Sequence, residues 1–228
     1  MDILLVSATP FEMASVLERL HAAGGALDGQ GFYPLSPLRV KPLVTGVGMV
    51  STAFHLGQLF ATWQPHLALN MGIAGALDTR LQLGDVLCVG TERFADLGVE
   101  EADGRFTDLF AMHLLEPDNW PYQQGLLRCP QVEAARFLPV VHGLTVNRVH
   151  GTAASIAAVR ARHPDAQVES MEGAAFFFAS LLAGLPFLEV RSISNYVEPR
   201  NRANWDIPLA IERLNETVWD MLQSLRKG

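Results

Sequence analysis

With 228 residues, 49% of them hydrophobic and 18% charged, the chain has the length and apolar content of one α/β domain with a substantial core. Its 17 basic and 24 acidic side chains give a net charge of −7, and the acidic ones are scattered rather than run together. That pattern argues against a nucleic-acid polymer or an anionic membrane as partner and leaves small molecules. Cys88 and Cys129 are the only cysteines, with no second pair and no histidine at ligand spacing, so neither a disulfide framework nor a zinc site is expected, no cofactor is implied, and a reducing cytoplasm fits.

From the N-terminus, DILLVSA (2–8) reads as a strand, with Asp2 where an export signal would be basic, and PFEMASVLERLHAAG as the helix after it. LRVKPLVTG (38–46) and MVSTAFHLGQLFATW repeat the strand–helix pair. LALNMGIAG (67–75) and GDVLCVGTERF (84–94) are further strands. Residues 98–142, punctuated by Gly104, Pro117, Pro121, Pro130 and Pro139, read as an excursion from the core rather than a second domain. The alternation resumes with GLTVNRVHG (143–151), SIAAVRARH, DAQVESME, a charge-free helix from Gly173, PFLEVRSIS (186–194) and an amphipathic helix from about Ile207 to Leu225. The window from Gly173 to Leu188 is too short for a bilayer and is broken by Gly184 and Pro186, so it reads as buried helix, turn and strand. Such alternation predicts a parallel or mixed sheet with helices on both faces.

Several strands end in small or polar residues: Ser7-Ala8, Thr45 to Gly48, Gly72-Ile73-Ala74-Gly75, His150 to Thr152, and Ser194-Asn195. Ligands of open α/β sheets bind outside the carboxyl ends of the strands, so one site built by many loops is expected. GVGMVS (46–51) is not a dinucleotide fingerprint, because Ser51 takes the third glycine's place and no acid ends the following strand. It is either a backbone approach to a ligand or a plain tight turn. Glu12, three residues beyond Thr9, is either the N3 partner of a capping box or an acid turned toward the strand ends. Glu172 heads an oily helix, where a carboxylate needs donors. A ligand with two adjacent hydroxyls, such as a ribose diol, supplies them, with Met171 beside it against the sugar; a helix-start acid favoured by the dipole is the plainer alternative.

SATPFE, TGVG (45–48), NMGIAG (70–75), ESMEGAA (169–175) and RSISN (191–195) together resemble, in order and spacing over nearly the whole chain, the nucleoside phosphorylase and nucleosidase superfamily. The ending SISNYVEPRNRANWDIPLAIERLN resembles the futalosine hydrolase family within it. The resemblance implies a three-layer α/β/α fold with a central mixed sheet, one nucleosidase domain over 1–228, and a homodimer or larger homo-oligomer. It implies Glu12 as the acid that activates water, Met171 and Glu172 as ribose contacts, and the Gly72, Ile73, Ala74 backbone at the substrate. Asn195 takes the place of an Asp that helps protonate adenine in methylthioadenosine nucleosidases. Its amide donates to a 6-oxo group, which shifts base choice toward hypoxanthine or guanine. Phosphorylases of this kind place an Arg where Asn70 stands, so water is the expected nucleophile unless Lys41, Arg80 or another subunit supplies a cation.

The implied reaction is hydrolysis of the N-glycosidic bond of futalosine, on the futalosine route to menaquinone, yielding hypoxanthine. Arg200 and Arg202 are candidates for the substrate's carboxylate or else a solvated loop paired to Glu198. Phe106, with Phe110, lines its aromatic pocket across a dimer interface or else packs in the core. Alternatives are a nucleosidase or phosphorylase for inosine or methylthioadenosine, and a non-catalytic purine-nucleoside-binding protein.

Overall fold

In the computed structural model, which describes residues 1–227, the elements follow in the order β1 (Asp2–Ser7), α1 (Pro10–Gly24), β2 (Tyr33–Leu35), β3 (Leu38–Val44), α2 (Met49–Phe60), β4 (Leu67–Ala76) and β5 (Val86–Glu92). Then come β6 (Gly98–Glu100), β7 (Phe106–Asp108), β8 (Leu127–Arg128), β9 (Val140–Thr145), α3 (Ala153–Arg162), β10 (Val168–Ser170), α4 (Gly173–Leu182), β11 (Phe187–Tyr196) and α5 (Ile207–Lys227). Nine strands form one mixed sheet in the order β10-β9-β5-β11-β4-β1-β3-β2, with β8 beside β5. Helices α1 and α5 pack together on one face and α2 and α4 on the other, so the expected three-layer α/β/α architecture with a central mixed sheet is the observed one.

Strand β4 organises the molecule. Its N-terminal half pairs in parallel with β1 and its whole length with β11, while its last residues pair antiparallel with β10. One half of the sheet thereby closes into a ring, β4-β11-β5-β9-β10. Buried on both faces, β1 and β4 are nearly continuous apolar runs, as central strands require, while β11 is as deeply buried but carries Glu189, Arg191, Ser192 and Ser194.

The excursion is shorter than expected. Strand β9 starts at Val140 and stops at Thr145, several residues ahead of the predicted 143–151, because β-branched Val140 and Val141 pair with Cys88 and Val89 of β5 directly after Pro139. The excursion itself carries the β6–β7 hairpin.

Helix α1 buries Met13, Val16 and Leu20 along one stripe. It is clamped to α5 by buried Asn215, whose Oδ1 accepts from Val16 N–H at 2.9 Å and whose Nδ2 donates to the Glu12 carbonyl at 2.8 Å. The first turn of α1 is therefore held from behind.

Candidate active site

Glu12 resolves its two readings by serving both. Pro10 occupies the first turn of α1, where a missing N–H costs nothing, and Thr9 precedes it as N-cap. Glu12 Oε2 accepts from Thr9 N–H and Oγ1, each at 2.9 Å, while Oε1 turns to the strand ends and accepts from Ile73 N–H at 3.2 Å.

Glu172 stands where β10 becomes α4 and is buried. Its Oε1 accepts from Gly48 N–H at 2.9 Å. Gly48 has φ +97°, so TGVG contributes a left-handed backbone position that aims an amide at the acid. Burial raises the Glu172 pKa, and the nearby Arg191 charge and the Gly48 amide oppose the rise.

Arg191, on β11 and at the head of RSISN, is the largest fully buried side chain among the described residues. Its Nε donates to Glu189 Oε1 at 3.0 Å. Burial alone would depress its pKa, but the charges of Glu189, Glu172 and Glu12 outweigh that and raise it. Gly72 makes room for the guanidinium: a Cβ there would stand 1.9 Å from Arg191 Nη1 and 3.0 Å from Glu12 Oε1. Among the described residues, Arg191 Nη2 is buried and finds no acceptor. The signal was available in PFLEVRSIS, where Glu189 and Arg191 sit at strand spacing on one face of an otherwise apolar run.

Beneath this layer, Glu189 Oε2 accepts from Asn70 Nδ2 at 3.0 Å, so the Asn70 amide is spent on an acid. Glu92 Oε2 accepts from Thr145 Oγ1 at 2.8 Å, and that hydroxyl oxygen accepts from Ala174 N–H at the head of α4. Burial, reinforced by the charge of Glu189, pushes the Glu92 pKa well above its ordinary value and favours its protonated form.

A cavity of about 440 Å³ opens over these groups. It brings together Glu12, Ile73, Ala74, Met171, Glu172, Asn195 and Arg200, with Phe11 and Val47 at its rim and Glu169 in its wall. A register shift between Ile193 and Asn195 in β11 re-aims Asn195 into it. Asn195 Oδ1 accepts from Ser194 Oγ at 2.8 Å and Nδ2 donates to the Tyr196 carbonyl at 3.0 Å, which leaves one amide hydrogen over.

The remaining candidates lie elsewhere. Gly72 is under the cavity against Arg191. Arg202 is exposed in a short 3-10 turn and does not line the cavity, and Glu198 pairs with Asn204 rather than with either arginine. Phe106 belongs to a separate cavity of about 230 Å³ with Phe110, Tyr122 and Arg162, whose guanidinium lies 4.3 Å over its ring. Lys41 bonds the Gln30 carbonyl and Arg80 pairs with Asp78, so neither alternative cation reaches the cavity. No cluster of His, Cys, Asp and Glu able to hold a metal occurs among the described residues, nor any helix long and apolar enough to cross a membrane.

The model of the phosphorylase superfamily matches residues 2–223. The chain is 32% identical over 224 residues to a futalosine hydrolase of Streptomyces coelicolor, covering 96% of this chain and 94% of that protein. It is 33% identical over 215 residues to a futalosine hydrolase of Acidothermus cellulolyticus, covering 89% and 85%. Its fold superposes on a methylthioadenosine/S-adenosylhomocysteine nucleosidase of S. pneumoniae, solved with a transition-state inhibitor, with a TM-score of 0.80 at 20% identity, covering 99% and 100% of the two chains.

Proposed function

Because the chain belongs to the phosphorylase superfamily, we propose that it hydrolyses the N-glycosidic bond of futalosine, a step toward menaquinone, and releases hypoxanthine, acting as one nucleosidase domain over residues 1–228. The observation that carries this reading is the meeting of Glu12, Glu172 and Asn195 in one cavity over a buried Arg191.

The roles follow from charge. Bond breaking runs ahead of attack and leaves a cationic ribosyl group, which an anionic Glu172 stabilises while binding the 2′,3′-diol with its free lone pairs, the ribose resting on Met171. Glu12 Oε1 takes the proton of the attacking water, and Arg191 Nη2 is a donor left over to orient that water. The base leaves with the glycosidic electron pair as an anion, Asn195 donates to its 6-oxo group, and the proton that Glu12 takes from water is balanced by the one the base then picks up from solvent. Arg200 is the cation offered to the substrate's carboxylate.

Water rather than phosphate is favoured by the balance of charge. One guanidinium faces three carboxyl groups, Glu12, Glu172 and Glu189, and a phosphate dianion brought there would be repelled rather than clamped. Nucleotide-free enzyme incubated with futalosine in phosphate-free buffer is expected to liberate hypoxanthine, read by chromatography. No release, or release only with added phosphate, overturns the hydrolase reading. In the same assay Arg200→Gln is expected to raise KM for futalosine but not for inosine; an equal rise for both would move Arg200 to the base or ribose.

A homodimer or larger homo-oligomer is the second part of the proposal. Val50 is 81% exposed and Phe54 62% exposed, four residues apart on α2, and Val47 and Phe11 are exposed apolar residues at the cavity rim; exposed apolar side chains gathered in this way mark an interaction surface. A partner seated there would roof the far end of the cavity. Sedimentation equilibrium giving a monomer at micromolar concentration would remove it.

A further inference from the structure

Glu169 was part of a motif but had no task. Its side chain is only 3% exposed, yet it lines the cavity alongside Asn195. Sheet register explains why these two belong together. Strands β10 and β11 both flank the end of β4, and Glu169 on one and Asn195 on the other are each the partner of the same residue, Gly75. Neighbouring strands lie about 4.8 Å apart, so the two backbones stand roughly 10 Å apart across a position with no side chain. Residues in one such row point to the same face. The gap is kept open by glycine, since a Cβ on Gly75 would come within 3.1 Å of Asn195 Nδ2 and 3.0 Å of Val197 Cγ2.

The carboxylate is held in place. Glu169 Oε1 accepts from His150 N–H at 3.0 Å, and Oε2 meets His150 Nδ1. With Nδ1 as the donor of that contact, each carboxylate oxygen keeps a further lone pair. The slot therefore offers an amide donor on one side and a fixed acceptor on the other.

We propose that Glu169 reads the base: it accepts the N1–H of a 6-oxopurine while Asn195 donates to O6, with His150 as the residue that positions the carboxylate. The proposal rests on the purine-nucleoside reading above and narrows it to the lactam edge. A 6-oxopurine shows an acceptor, O6, next to a donor, N1–H, which is the complement of this pair. Adenine shows the reverse, a 6-amino donor next to an N1 lone pair, and that lone pair would face an anionic oxygen. Sites built to bond a polar group reject analogues that leave it unpaired, because the buried group then loses both water and partner.

The test measures binding of free bases by calorimetry, next to futalosine cleavage. Wild-type protein is expected to bind hypoxanthine at least about 100-fold more tightly than adenine or 1-methylhypoxanthine, which lacks the N1 hydrogen. Glu169→Gln, which still accepts from His150 N–H and whose amide presents either polarity to N1, is expected to narrow both ratios to about tenfold or less with an unchanged melting temperature. Equal binding of the three bases by the wild type, or an unchanged ratio in a folded Glu169→Gln, overturns the proposal. Should the variant not fold, the wild-type ratios alone decide it. Failure of wild-type protein to cleave futalosine would instead strike the functional reading, so the two outcomes are separable.

Discussion

At Glu12 a single carboxylate holds the first turn of a helix with one oxygen and faces the cavity with the other. The two tasks separate under substitution. Glu12→Gln keeps an oxygen for the Thr9 donors but cannot take a proton, so kcat is expected to fall by about 10² to 10⁴ while base binding and thermal stability change little. Activity within a few-fold of wild type, measured under saturating futalosine, would return Glu12 to capping alone. Glu172 differs because its whole environment is the site: one backbone donor, one nearby guanidinium, and burial that pulls its pKa up. Each of these acids was readable from its neighbours in sequence, Glu12 from Thr9 and Pro10, Glu172 from the charge-free helix it heads. Arg191 shows in PFLEVRSIS only as a charge paired at strand spacing with Glu189, and nothing in a strand pattern says which of two buried faces looks into a cavity.

Among the elements, α4 is the most constrained at its start. A Cβ on Gly173 would lie 2.3 Å from Glu92 Oε1 and 2.7 Å from Glu189 Oε1, where two carboxyl groups already crowd the helix head. Gly173→Ala is expected to destabilise the protein by about 1–3 kcal/mol, the usual cost of overpacking, despite alanine's better helix propensity. Urea unfolding checks this, and an unchanged or increased stability would mean the carboxyl groups move aside freely. Sequence alone located α4 and its buried character, and it also placed the start of α1. It misjudged β9, because Val140 and Val141 follow a proline-rich stretch and their strand pairing comes from β5, far away in the chain.

For the molecule as a whole, buried acids couple stability to pH. Glu92 has a folded pKa well above its ordinary value of 4.5, so the native state retains a proton that the unfolded chain gives up. Its contribution is complete below pH 4.5 and is lost as pH rises toward the folded value. Glu92→Gln keeps an acceptor for Thr145 and removes the titration. Its stability relative to wild type is expected to increase steadily from mildly acid to alkaline buffers, followed by chemical denaturation at each pH; a constant difference would show that Glu92 is ionised in the native state.

Alternating apolar runs, turn residues and local motifs were enough to establish the layered α/β architecture, and with the family resemblance they pointed to a nucleoside site at the strand ends, because those properties depend on near neighbours and on periodicity. Strand register was beyond their reach. Only folding sets Glu169 and Asn195 on either side of Gly75, spends Asn70 on Glu189, buries Arg191 among three acids and puts Phe106 in a cavity of its own. Each of those facts joins residues that are distant in the chain or fixes which face of a strand looks inward, and hydrogen-bond pairing across the sheet is the physical agent that brings them together.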